Sequence, residues 1–244
     1  FEDFQKEDLE IAPSEWFMDL MKDPPNIAEN RMTQNAWLGI RMQALTPELQ
    51  AYWDVPQKGG IIINRVFPES PAEKAKLQVG DVILAIDDSA LFISKEEESA
   101  KLRNLILSYP VDSEIELTVF RETKVITKKA RLTAAPKAIG LAESYPIPEW
   151  GFEIRELTRD IIYQDNLSLN TKGVFVFQID RASPAGIAGL RIGDIIQEIN
   201  GKEIRDLTAA REVIQDELDN PKPIKMLKLL SNRSTRFVFI DLKK

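Results

Sequence analysis

The sequence predicts a mainly β protein with short helices, an α+β chain built as two tandem, partly open β-barrels. The first observation behind this is a repeat. SPAEKAKLQVGDVILAID begins at Ser70 and SPAGIAGLRIGDIIQEIN at Ser183, an offset of 183 − 70 = 113 residues, with nine identical positions. An echo at a fixed offset of about one domain length marks tandem domains rather than a solenoid. The second is that both copies sit in the same order of glycine-led strands, helix and closing hairpin. The third is composition: 43% hydrophobic and 29% charged residues suit a globular chain that closes two modest cores.

Within the first copy, Trp37-Leu38-Gly39-Ile40-Arg41-Met42-Gln43 alternates as a half-exposed strand does, with Ile40 and Met42 on one side. Thr46-Pro47-Glu48-Leu49 reads as a helix start, and Gly59-Gly60 opens the strand 61–66. Ser70 is a helix cap, Pro71 suits the first turn, and Ala72, Ala75 and Leu77 form a small apolar face. Gly80 meets a need for left-handed backbone, and Asp81 leads into the buried strand Val82–Ile86. A helical stretch follows over Ser94–Tyr109, with Leu102 and Ile106 on one face. The domain ends in a hairpin, 115–120 and 125–132, whose charges Lys128, Lys129 and Arg131 read as a solvated strand face.

The second copy repeats this order. Trp150-Gly151-Phe152-Glu153-Ile154-Arg155 feeds a strand, and Gly173 opens another at 174–177. Ser183, Pro184, Ala185, Ala188, Leu190, Gly193 and Asp194 lead into Ile195-Ile196. A helix over 207–218 carries Ala210 and Ile214 on one face, and a hairpin spans 224–230 and 237–242. Four segments result: an N-terminal extension 1–35 with a capped helix over 13–21 stopped by Pro24-Pro25, a first domain 36–135, a three-proline semi-rigid linker 136–148, and a second domain 149–244.

The chain carries no histidine and no cysteine, which removes disulfides, Ser-His-Asp and Cys-His catalysis, and imidazole- or thiolate-bound metals. A Ser-Lys dyad, a carboxylate pair or an oxygen-ligand cation site survives that filter. The repeats leave little chain for a catalytic domain, so this chain is expected to be no enzyme and to hold no metal or cofactor. A net charge of −7 is the wrong sign for tracking phosphates, so nucleic acid is not an expected partner. No apolar run approaches the roughly 20 residues that span a bilayer.

The Φ-Gly-Φ loop, the glycine-led strand, S-P-A-x-x-A-x-L-x-x-G-D-x-I and the helix after it together resemble a PDZ domain. Their order resembles the bacterial, permuted form found in the HtrA (Do-like) serine proteases. The chain departs from that family at Asp112 and Asn220-Pro221, where a glycine is frequent before the last hairpin. The resemblance implies capture of C-terminal or extended segments of unfolded and substrate proteins, which add a strand beside the one after the loop. It carries over Leu38, Gly39, Ile40, Met42, Leu102 and Ile106 as the first peptide site, and Trp150, Gly151, Phe152, Ile154, Ala210 and Ile214 as the second. Arg41, Glu153 and Arg155 would blunt indiscriminate pairing of the edge strands.

The resemblance further implies a protein-quality-control role in the periplasm or cell envelope, a protease domain upstream of Phe1, and a homo-oligomer. The alternatives are a stand-alone adaptor of secretion or signalling, the PDZ pair of an intramembrane protease, and a Ser-Lys tail-specific protease.

Overall fold

A computed structural model describes residues 35–220 and 222–242; the helix expected over 13–21 lies outside them. In the first domain, strands β1 (Ala36–Trp37), β2 (Ile40–Ala44) and β3 (Ile61–Val66) enclose helix α1 (Pro47–Trp53). Helix α2 (Pro71–Lys74), strands β4 (Val82–Ile86) and β5 (Ser89–Ala90), and helix α3 (Ala100–Ser108) follow. The hairpin β6 (Glu114–Arg121) and β7 (Lys124–Arg131) and the short β8 (Thr133–Ala134) complete it. The sheet runs β2-β3-β4-β6-β7, with β5 on β4, while β1 pairs with β8 and ties the domain's two ends together.

The second domain begins earlier than its sequence suggests, with β9 (Ser144–Ile147). Then come β10 (Phe152–Glu156), α4 (Arg159–Gln164), β11 (Val174–Ile179), α5 (Pro184–Ile187), β12 (Ile195–Ile199), β13 (Lys202–Glu203), α6 (Leu207–Asp219), β14 (Ile224–Ser231) and β15 (Ser234–Asp241). The sheet order is β15-β14-β12-β11-β10-β9, with β13 on β12. The stretch read as linker therefore contributes a strand to a sheet.

Local chemistry explains the elements. Thr46, Ser70, Thr158 and Ser183 each cap a helix by accepting from the backbone N–H three residues on, and Pro47, Pro71 and Pro184 follow their caps where no N–H is needed. The helical stretch 94–109 is broken into a 3₁₀ turn, Glu96–Glu98, and α3. Asp112 takes the left-handed backbone, φ 70°, that glycine supplies elsewhere, so the hairpin closes without glycine. The aspartates of the two Gly-Asp pairs are structural. Asp81, almost fully buried, receives two bonds from Arg121 at 2.7 and 2.8 Å, and Asp194 receives Arg236 at 2.6 Å. Each pair fastens the loop after the S-P-A helix to the hairpin of its own domain.

Each domain has its own core. Ile61, Ile63, Ile83, Leu102, Leu117 and Val119 belong to the first, and Trp150, Ile154, Val176, Ile196, Ile214 and Leu227 to the second. Beneath Trp150 lies a buried ion pair: Lys225 Nζ is 2.8 Å from the Glu217 carboxylate and 3.0 Å from the Glu217 carbonyl. The same ammonium stands 5.6 Å from the centre of the Trp150 ring. Burial pushes the Glu217 carboxyl up, but hydrogen bonds from Lys225 and Asn200 and the charges of Lys225 and Lys222 together outweigh it, and the group is held below the usual carboxylate value.

Candidate functional site

Both domains build the same loop from the same parts. In the first, the Leu38 carbonyl accepts from the Ala72 N–H in α2 at 2.9 Å, and the Gly39 carbonyl accepts from Phe67 at 3.0 Å. A trans peptide sets its N–H opposite its C=O. Holding these two carbonyls inward therefore turns the N–H groups of Gly39 and Ile40 outward. Gly39 has φ +85°, and a Cβ there would lie 2.2 Å from the Ser70 Cβ, so only glycine lets the loop settle on the capping serine.

The second domain matches point for point. The Trp150 carbonyl accepts from Ala185 at 3.2 Å, the Gly151 carbonyl from Asp180 at 2.9 Å, and a Cβ on Gly151 would lie 2.0 Å from the Ser183 Cβ. The repeated S-P-A segment is thus the seat of the Φ-Gly-Φ loop, which explains why the two motifs recur together.

In the first domain the loop opens onto a groove of about 450 Å³ between β2 and α3. Ile40 and Met42 form one wall, Arg103 and Ile106 the other, and Trp37 and Phe67 stand at the loop end. β2 ends its sheet, so its outer edge has no strand partner among the described residues. That edge is delimited at Ala44, whose N–H donates to the Glu96 carboxylate at 2.9 Å. Among the described residues the N–H groups of Leu38 and Gly39 have no hydrogen-bond partner. Apolar walls, outward N–H groups and the exposed guanidinium of Arg103 suit an extended segment that ends in an anion beside an apolar side chain.

In the second domain the equivalent groove is filled by β9. This strand pairs antiparallel with β10, Ile147 opposite Phe152 and Tyr145 opposite Ile154. The Ile147 carbonyl accepts from Trp150 N–H at 3.1 Å and from Gly151 N–H at 2.9 Å. From α6, Arg211 holds the other side: it donates to the Ser144 carbonyl at 3.2 Å, pairs with Glu143 at 2.7 Å and lies 5.4 Å from the Tyr145 ring centre. Ile147 is 1% exposed and joins the core around Ala210 and Ile214. Pro146, which lacks an N–H, is accommodated because β9 is an edge strand.

The sequence-predicted residues fall into three groups. Leu38, Gly39, Ile40, Met42 and Ile106 border the first groove. Leu102 is fully buried in the core beneath it. Trp150, Phe152, Ile154, Ala210 and Ile214 lie together in the core of the second domain, all buried, and β9 covers the edge of β10 on which a ligand strand would pair. β10 is therefore no edge strand. Glu153 and Arg155 bond each other at 3.2 Å, and Arg155 lies 3.4 Å from the Phe177 ring centre instead of guarding an edge.

Sequence reasoning missed Trp37, Phe67 and Arg103. A signal existed for Arg103: aligning the helices on Leu102/Ala210 and Ile106/Ile214 places it opposite Arg211. No such signal exists for Phe67, whose place at the loop follows from the crossing of β3 into α2.

The PDZ domain family matches residues 36–132, and a second PDZ domain match covers residues 175–225. Over 191 residues the chain is 30% identical to a probable periplasmic serine endoprotease, DegP-like, of Chlamydia muridarum, covering 78% of this chain and 36% of that protein. The DegP-like protein of Pseudomonas fulva is 27% identical over 211 residues, 83% of this chain and 42% of that one. A solved structure, the HtrA-type protease AlgW with decapeptide, matches 52% of this chain and 36% of its own at 25% identity, with a TM-score of 0.38. The chain thus spans about two fifths of the length of these curated relatives.

Proposed function

Because the chain carries two PDZ domains, we propose that it is a peptide-binding module in which the first domain captures C-terminal or extended apolar segments of substrate proteins. The second groove, in this reading, serves its own strand β9. One observation carries the proposal. In the second domain the Trp150 and Gly151 N–H groups of the loop, the counterparts of Leu38 and Gly39, both donate to one backbone oxygen, that of Ile147, at 3.1 and 2.9 Å. In the first domain the equivalent N–H groups face an open groove with apolar walls. A peptide's terminal carboxylate offers that loop the same kind of acceptor with a full negative charge, in surroundings that exclude water and strengthen the bond.

Similarity to DegP-like proteins over the PDZ part supports a wider assignment. The pair is the substrate-sensing, regulatory part of an HtrA-like serine endoprotease in periplasmic or envelope quality control, with catalysis and oligomeric assembly supplied by the remainder of such a protein.

The test is fluorescence anisotropy with peptides ending in an apolar residue, each with a free and an amidated C-terminus. The free acid is expected to bind with a micromolar Kd, about −8 kcal/mol, and the amide at least about tenfold more weakly, since a charge-assisted bond is lost. Met42→Glu, which places a carboxylate in the groove wall, is expected to abolish binding while the melting temperature holds. Gly39 is a poorer probe, because its substitution collides with Ser70 and disturbs the fold. Equal binding of acid and amide would replace carboxylate capture by internal strand addition. No binding at hundreds of micromolar would reject the first groove as a peptide site.

A further inference from the structure

We infer that Tyr163, a residue of the second domain, is a positioning residue of the first domain's groove, so that docking of the two domains and occupancy of that groove are coupled. This rests on the peptide-binding reading of the first groove and extends it across the domain boundary.

Tyr163 sits in the last turn of α4, is 7% exposed, and stacks on both aromatic residues at the loop end of the first groove. Its ring centre lies 5.6 Å from that of Trp37 and 4.9 Å from that of Phe67, and these two lie 6.0 Å apart. Polar contacts fix the arrangement. The Tyr163 hydroxyl donates to the Pro68 carbonyl at 3.0 Å, and Arg65 donates to the Tyr163 carbonyl at 2.9 Å and to Asn166. Arg159 pairs with Glu69 at 3.0 Å, and the Arg65 guanidinium covers Phe67 at 5.0 Å.

The two residues whose rings Tyr163 touches also set Gly39, Phe67 through its backbone and Trp37 through its ring. The Phe67 N–H holds the Gly39 carbonyl inward, which turns the Ile40 N–H toward the groove. The Trp37 indole edge packs so closely that a Cβ on Gly39 would lie 3.0 Å from it. The contact therefore runs from Tyr163 through Trp37 and Phe67 to the loop that receives a ligand's terminus, without Tyr163 lining the groove. With the second domain undocked, Trp37 and Phe67 lose the ring packed against them and become free to change rotamer, and the loop loses its support. Linkage then requires the reciprocal: a ligand that favours the supported loop favours the docked pair by the same factor.

The test compares the full chain with Tyr163→Ala and Tyr163→Phe, using the free-acid peptide of the preceding section and small-angle scattering with and without it. Tyr163→Ala is expected to weaken peptide binding about five- to tenfold, at the low end of such couplings. It should also abolish the compaction that peptide is expected to produce in the wild-type chain. Tyr163→Phe keeps the stack and should bind like wild type. Peptide bound equally well by wild type and Tyr163→Ala overturns the inference while leaving the groove assignment standing. A wild-type chain that binds no peptide overturns the groove assignment and this inference with it. Arg159→Ala, which loosens docking from outside the aromatic stack, checks that a loss in Tyr163→Ala is not misfolding: coupling requires a smaller loss in the same direction, and an unchanged affinity with docking loosened contradicts it.

Discussion

Replacing Lys225 with methionine is expected to destabilise the second domain by about 3–5 kcal/mol, because it leaves the Glu217 carboxylate buried without its partner. Both side chains are almost fully enclosed, 0% exposed for Lys225 and 4% for Glu217, so water does not screen the loss. The variant also loses the cation beside the Trp150 ring, under the loop. Its pH dependence separates this cause from simple loss of packing. In the wild type the folded Glu217 value is lowered. Its contribution is therefore fully present above the unfolded value, about 4.3, and is lost as pH falls through the folded value.

Without Lys225 the main lowering influence is gone, the smaller ones of Asn200 and Lys222 stay, and burial, the largest single influence, raises the value. Stability of the variant should then fall as pH rises through the raised value, so the gap between wild type and variant narrows as pH is lowered from 7 toward 4. Urea unfolding at a series of pH values measures this. A gap that stays constant with pH would show that the pair contributes packing alone.

Ile147→Ala is expected to cost about 2–5 kcal/mol, the range for truncating a large aliphatic side chain in a packed core. A residue in a plain inter-domain linker would cost at most about 0.5 kcal/mol, so this substitution separates the two roles of the segment sharply. The damage should be confined to the second domain. Hydrogen exchange is expected to speed at the Trp150 and Gly151 amides, which lose a well-held acceptor, and along β9 and the facing edge of β10. Peptide affinity of the first groove should not change, because Ile147 touches no part of it. Slow exchange retained throughout β9 in the variant would mean that Arg211 and the ladder hold the strand without the buried side chain.

Much of the architecture was legible in the sequence because it rests on local chemistry written twice. The Ser-Pro-Ala caps, the glycine whose Cβ would strike the capping serine, and the branched strands after Gly-Asp are short-range signals, and all recur in both copies. The second groove was not legible for a physical reason. Tyr-Pro-Ile carries a proline and few residues, so Ser144–Ile147 reads as linker, and its strand character comes only from the waiting edge of β10 and from Arg211 on a helix 67 residues away in sequence. Leu102 is assigned to the groove by the PDZ resemblance; periodicity puts it on one helix face with Ile106 without saying which side of that face a ligand sees. Tyr163 lies in a helix too short to announce itself. Its importance comes from two rings contributed by the other domain, which no window of sequence contains.

The most direct measurement of the central claim, one receptive groove per chain, is a titration of the isotope-labelled chain with a free-acid apolar peptide, followed residue by residue by NMR and in parallel by calorimetry. The expected result is a single site per chain, with amide shifts at Leu38, Gly39, Ile40 and Met42 and along the Arg103 face of α3, and with β9 still paired to β10. Two sites per chain, or shifts centred on Trp150, Gly151 and Ile154 with β9 released, would contradict it.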